Sequence, residues 1–255
     1  MNAHYRADIL NYQKKDAITA ICFWVLLMVS YAVAGYAARF IGTLIPGIVV
    51  SVLPFVACIA IVVKKGDGVA SLGFRKEGFK ASLALGLACG LVALVVNNGI
   101  LPAIIYGWKL EPIGYVLYRF FYYLISIALV EETIFRGYIQ TRLYGLLQNK
   151  ALAMSLGALM FALMHVPFQI AIGNQIWGLS LIIWLASTFI WHFAFDLMFK
   201  KHYSLVGPTL FHTIMNWSSD IFARDTSPMW SGYALLVLTL CVLAAIGIKT
   251  LRNNS

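Results

Sequence analysis

Apolar residues in this chain run in long blocks, broken by short stretches of charge, proline and glycine. The blocks lie near residues 17–38, 44–63, 81–106, 114–135, 151–166, 178–199, 205–222 and 229–248. A helix needs roughly 20 apolar residues to cross about 30 Å of hydrocarbon. The pattern therefore predicts an all-α fold, a polytopic membrane helical bundle of about eight transmembrane helices. Residues 1–255 are expected to form a single integral membrane domain. Sixteen mostly polar residues precede the first block, which is longer than the apolar core of a cleavable signal, so it is expected to stay as the first span.

The connections orient the bundle. Arg6, Lys14 and Lys15, the loop carrying Lys64, Lys65, Arg75, Lys76 and Lys80, then Arg136, Arg142 and Lys150, Lys200 and Lys201, and finally Lys249 and Arg252 all fall at one end. Only Arg39, Lys109, Arg119 and Arg224 fall at the other, a division of 15 against 4. Cytoplasmic loops carry the excess of Lys and Arg, so both termini are expected in the cytoplasm. The expected location is multi-pass, in a bacterial cell membrane.

Composition agrees. The chain is 61% hydrophobic and only 11% charged, with a mean hydropathy of +0.83, against about 25% charged residues in soluble domains. The net charge of +9 is explained by helix ends facing anionic headgroups. No compact basic face with interleaved aromatics points to nucleic acid, so the expected partners are the lipid bilayer and a substrate within it. Cys22, Cys58, Cys89 and Cys241 stand singly in apolar blocks, without ligand-like spacing or a disulfide framework. The stretch KKGDGVASLGFRKEGFK at 64–80 reads as the main cytoplasmic loop. Trp and Tyr near the span ends read as interfacial belts.

Against this background the polar intrusions stand out. Glu131 and Glu132 are adjacent in YYLISIALVEETIFRGYIQ, where an unpaired carboxylate costs several kcal/mol. Phe161 and His165 in FALMH, and His212 and Asn216 in HTIMN, are each spaced i, i+4 and share a helix face. Polar groups in separate apolar helices must find partners or water inside the bundle, which predicts that they converge. Glu132 and Arg136 are also i, i+4 and can neutralise one another, whereas Glu131 points about 100° away with no local counter-charge. Glu132 is therefore expected to orient and Glu131 to act as a base. The block holding the glutamates lacks proline from 114 to 148 and is expected to run on as one long helix. Val166-Pro167 is expected to stop the helix carrying His165.

The strings EETIFRG, FALMH and HTIMN resemble the motifs EExxxR, FxxxH and HxxxN of the CPBP family, also called the Abi family, of membrane CAAX proteases and bacteriocin-processing enzymes. SLGF before the third block and YSLVGPTLFHTIMN are similar to that family too, and the resemblance is best over residues 114–220. It implies an eight-helix intramembrane endopeptidase with Glu131, His165, His212 and Asn216 as catalytic residues. Glu132, Arg136 and Phe161 complete the motifs. In that reading Glu131 with His165 takes a proton from water, and His212 with Asn216 holds the oxyanion.

Glu131, His165 and His212 also match in kind a ligand set for zinc or another divalent ion, although the spacing is not HExxH, so a metal site and a metal-free site both fit. Prenylated CAAX proteins, leaders of secreted peptides or pheromones, and other membrane proteins are all open as substrates. A non-catalytic bacteriocin immunity or transport-type protein is the rival class, though no internal repeat supports transport. His192 and Asp196, close to Lys200 and Lys201, read as a snorkelling pair at the cytoplasmic interface. The site itself is expected to open to the cytoplasmic side. Counted at about 1.5 Å per residue from helix edges near 147, 151 and 205, Glu131, His165 and His212 would lie about 24, 21 and 11 Å deep, an uncomfortable spread for one site.

Overall fold

The computed structural model describes residues 1–107, 109–174, 178–222 and 237. The named elements among them are all helical, with one isolated antiparallel bridge between Leu110 and Phe222. A short α1 (Ala3–Asn11) is followed by α2 (Lys14–Ile41), α3 (Leu44–Lys65), α4 (Phe79–Val92) and α5 (Ile100–Tyr106), the last two joined by a π-helical turn. Then come the long α6 (Ile113–Leu143), α7 (Lys150–Ile172), α8 (Leu179–His202) and the short α9 (Val206–Trp217). Among the described residues six helical stretches are long and apolar enough to cross a membrane: α2, α3, α4 with α5, α6, α7 and α8. The chain is thus an integral, multi-pass, all-α bundle. The seventh predicted block is mostly the twelve-residue α9, and the eighth lies outside the described residues apart from Val237.

The helix ends follow their local chemistry. Asn149 accepts from the backbone N–H groups of Ala151 and Leu152 and so caps α7. Gln13 and Asp16 form a reciprocal capping box on α2. Lys64 and Lys65 close α3, where positive charge meets the negative end of the helix dipole. Contrary to the expectation that Val166-Pro167 stops it, α7 runs through Pro167 to Ile172. α2 packs along α7 there, and a side chain on Gly35 would come within 2.6 Å of the Phe168 carbonyl oxygen. The helix continues there although Pro167 donates no backbone hydrogen bond.

Three apolar clusters hold the bundle. The largest joins Phe23, Leu27, Ile134, Phe135, Met160 and Met164 from α2, α6 and α7. A second joins Trp191, Phe195 and Phe211 from α8 and α9. The third lies at the end carrying the basic loops, where Tyr5 of α1 is fully buried against Tyr144, Phe199 and Tyr203. α1 thus plugs that end, and Asn2 donates its backbone N–H to the Lys200 carbonyl. α4 and α9 meet where a side chain on Gly86 would approach the Gly207 carbonyl oxygen to 2.5 Å. Only two glycines allow backbones to come so close.

α6 sets the layout of the site. Every residue from Val130 to Leu143 is buried, whereas residues 113–127 are mostly exposed or half-buried. The helix ends at Leu143 and not near 148, because residues 144–146 turn. Its basic half is dry and packed, and its other half borders open space.

Candidate active site

The structure brings the polar groups of three helices together. Glu131 Oε2 of α6 lies 3.9 Å from His165 Nε2 of α7 and 4.0 Å from His212 Nε2 of α9. The depth spread expected from the sequence disappears because α9 does not begin at a membrane edge. Ser204 and Leu205 are buried, and Leu205 donates its N–H to the Gly73 carbonyl, so α9 starts inside the protein. His212 is therefore deeper than residue counting gives.

Each histidine is held by its other nitrogen. His165 Nδ1 is 2.9 Å from the Phe161 carbonyl oxygen one turn earlier, and a carbonyl can only accept, so Nδ1 donates to it and Nε2 is left to face Glu131. His212 Nδ1 lies 2.8 Å from Glu132 Oε1 and donates to that carboxylate. Glu132 Oε2 in turn lies 3.1 Å from Arg136 Nε, with both side chains fully buried. The i, i+4 pair expected from the sequence is present. Glu132 also does something that spacing did not reveal, since its second oxygen orients His212 across the bundle.

Aromatic rings frame this charge relay. The Arg136 guanidinium carbon lies 4.1 Å from the Phe161 ring centre and 4.8 Å from that of Phe195, a placement that stabilises a buried cation. His212 stacks on Phe195 at 5.0 Å with an interplanar angle of 18°. His165 meets Phe161 edge-on at 5.1 Å, and Trp184 at 5.8 Å. Phe161 is thus the hub against which Arg136, His165 and His212 are set.

A cavity of about 520 Å³ holds the cluster and is lined in addition by Asn216, one turn after His212. From Glu131 it follows Ile127, Tyr123 and Arg119 up α6, and Ser187 and Trp184 up α8, toward the end of the bundle opposite the basic loops. At the basic end, where the packed half of α6 and α1 lie, a second cavity of about 440 Å³ is lined by Gly73, Arg75, Leu129 and Thr209. Along the α6 wall of the first cavity Arg119 pairs with Asp220 and hydrogen-bonds Tyr123, whose hydroxyl donates to the same carboxylate at 2.9 Å. Reading from the sequence missed this clasp, because Arg119 counted only as a loop charge.

His192 and Asp196 are likewise not an interfacial pair. Both are fully buried. His192 Nε2 lies 3.1 Å from Gln140 Oε1, Asp196 Oδ2 lies 2.7 Å from Lys200 Nζ, and His192 packs on Phe161. α1 covers this end, so what would have been interface is protein interior.

No group of three His, Cys, Asp or Glu among the described residues is placed to hold an ion. The gaps of 3.9 and 4.0 Å from Glu131 exceed the roughly 3.4 Å between ligands on a tetrahedral zinc with bonds of about 2.0–2.1 Å. A water hydrogen-bonded at about 2.8 Å to two groups, at an angle between square and tetrahedral, spans about 4.0–4.6 Å and fits better. Glu131 Oε2, buried and without a hydrogen-bond partner, awaits such a donor.

No curated protein matches the chain. Residues 113–218, which carry both glutamates, Arg136, Phe161, both site histidines and Asn216, match the family described as type II CAAX prenyl endopeptidase Rce1-like, and over this segment the chain is similar to that family.

Proposed function

We propose that the protein is an intramembrane endopeptidase that hydrolyses a peptide bond with water activated by Glu131, and that residues 1–255 act as one integral membrane domain with both termini in the cytoplasm. The observation that carries this reading is the convergence of one carboxylate and two imidazole Nε2 atoms, each within 4.0 Å of it, in a cavity of about 520 Å³.

In the reaction a water donates one hydrogen to Glu131 and its other to His165 Nε2. Its oxygen attacks the scissile carbonyl carbon as Glu131 takes the proton. His212 is held at Nδ1 by the Glu132 carboxylate and, carrying a proton on each nitrogen, donates from Nε2 to the oxyanion, joined by the Asn216 amide. Glu131 then passes its proton to the amide nitrogen as the C–N bond breaks. Arg136 offsets the charge of Glu132 and never meets the substrate. His165, more exposed than its partners at 25% of its side chain, is the first of the group a substrate would reach.

The experiment is to replace Glu131 by Gln and identify the peptides that accumulate uncut in cells, then to incubate those peptides with the purified protein in proteoliposomes. Cleavage by the parent and none by Glu131→Gln is expected. Equal peptide profiles in the two strains would refute proteolysis and favour a binding or immunity role.

A further inference from the structure

The second cavity, of about 440 Å³, lies between α4, α6, α9 and the loop that precedes α4. Its size is that of a ligand pocket, about 300–1,000 Å³. Most of its wall is apolar: Phe79 and Leu83 from α4, Leu124 and Leu129 from α6, Val206 and Leu210 from α9. Three residues depart from that pattern. Arg75 and Lys76 line the cavity from the loop, and Thr209 lines it from α9. None of the three lines the cavity around Glu131.

These polar groups sit at different heights. Leu205 donates its N–H to the Gly73 carbonyl, which sets the start of α9 level with the loop. Thr209 follows four residues later, about 6 Å along the helix. Its hydroxyl is buried and has no hydrogen-bond partner. Such a group is costly when left alone, so it points to a partner supplied from outside the chain. Arg75 is held at the loop by Asp8 at 3.0 Å, by the Ala70 carbonyl at 2.9 Å and by the Tyr203 ring, whose centre is 4.4 Å from its guanidinium carbon. Lys76 is exposed and pairs with no carboxylate among the described residues. With Glu77 and Asp8 set against Arg75, Lys76 and Lys80, the rim keeps an excess of positive charge.

We propose that this cavity binds an anionic phospholipid, with the phosphate at Lys76 and Arg75, an ester carbonyl accepting from the Thr209 hydroxyl, and one acyl chain against Leu83, Leu124 and Leu129. The order of groups in the wall is the order of groups in such a lipid: negative charge, a short polar link, then hydrocarbon. Basic pockets between membrane helices hold anionic headgroups in this way. A free phosphate would leave the apolar walls unmatched, and a neutral lipid would leave Lys76 unmatched. Leu129 and Glu131 are two residues apart and so about 200° around α6 from one another. The lipid thus lies against the face of α6 turned away from the Glu131 cluster, and the site stands whether or not that cluster is catalytic.

Native mass spectrometry of the full chain in a neutral detergent tests this without any cleavage assay. The protein is titrated in turn with dioleoyl phosphatidylglycerol, dioleoyl phosphatidylcholine, a long-chain alcohol and inorganic phosphate. One phosphatidylglycerol per chain is expected to bind about tenfold more tightly than phosphatidylcholine. Lys76→Gln should weaken that binding about fivefold, as the loss of one basic contact does. Leu129→Trp, which fills the cavity, should abolish it, and if that variant does not accumulate, Leu83→Trp fills the same space from α4. Lys64→Gln, at the end of α3 and outside the cavity, should leave it unchanged. Equal binding of the two phospholipids overturns the proposal, as does an alcohol that binds as tightly as phosphatidylglycerol, or binding that survives the filling variant. Inorganic phosphate that displaces the lipid at millimolar concentration would mark a bare anion site and overturn it too.

Discussion

Glu132 offers the most discriminating single perturbation. Its two oxygens serve different partners, His212 Nδ1 at 2.8 Å and Arg136 Nε at 3.1 Å, and both Glu132 and Arg136 are wholly buried. In Glu132→Gln the amide has one oxygen and one donor nitrogen. If the oxygen faces His212, the NH₂ group confronts the guanidinium, and if it faces Arg136, the hold on His212 changes. Either way a buried arginine loses its ion partner, which destabilises by about 3–5 kcal/mol. At roughly 2–4 °C of Tm per kcal/mol for a chain of this size, the drop is about 6–20 °C. The assay is thermal unfolding of the detergent-purified protein, with cleavage followed in parallel. Combining Glu132→Gln with Arg136→Met removes both charges, so the double variant is expected to be more stable than the sum of the single losses by at least about 2 kcal/mol. It should remain inactive, because His212 is still unheld. A Glu132→Gln protein as stable as the parent, or strictly additive losses, would refute the account of a shared buried charge relay.

Glu131→Gln should abolish cleavage while shifting Tm by no more than about 2–4 °C, since the nearest partner of Glu131 Oε2 is 3.9 Å away and no paired charge is stranded; Tm and turnover measured on one preparation decide it. Gly207→Ala should lower stability by about 1–3 kcal/mol, because its new Cβ would stand 2.6 Å from the Ser82 carbonyl oxygen; a Tm unchanged from the parent would show that α4 and α9 part easily. Purified protein treated with a strong chelator should keep its activity, because the Glu131 gaps suit a water and not an ion; loss of activity restored by added zinc would reverse that conclusion. His165→Ala should cut turnover by about 10²–10⁴-fold with little change in Tm, since the ring is partly exposed; a loss below tenfold in single-turnover cleavage would remove it from proton handling.

Much of this was readable in advance. Long apolar blocks gave the helices to within a few residues at most ends, because lipid demands unbroken helices of fixed length. The convergence of Glu131, His165 and His212 followed from the cost of leaving such groups alone in hydrocarbon. What stayed hidden depends on contacts between distant segments. The bond between Glu132 and His212 spans 80 positions and has no local signature. Nor does sequence separate a lipid-facing side from a packed one when both are apolar, so nothing in α8 marked His192 and Asp196 as interior. Nor did the basic loops signal that α1 folds back to bury Tyr5 against α8.

The contact between Gly86 and Gly207 has a consequence for how this protein can be divided. Residues 113–218 match the family and carry the proposed site residues, yet the helix that presents His212 rests on α4, which lies outside them, and α7 rests on α2. A fragment trimmed to the matched segment would keep every reactive side chain and lose the surfaces that set their spacing. Exchange of parts between relatives meets the same constraint. Residues 79–92 and 206–217 form one fitted unit split across the chain, and a chimaera that takes one without the other should assemble a bundle whose reactive groups miss each other.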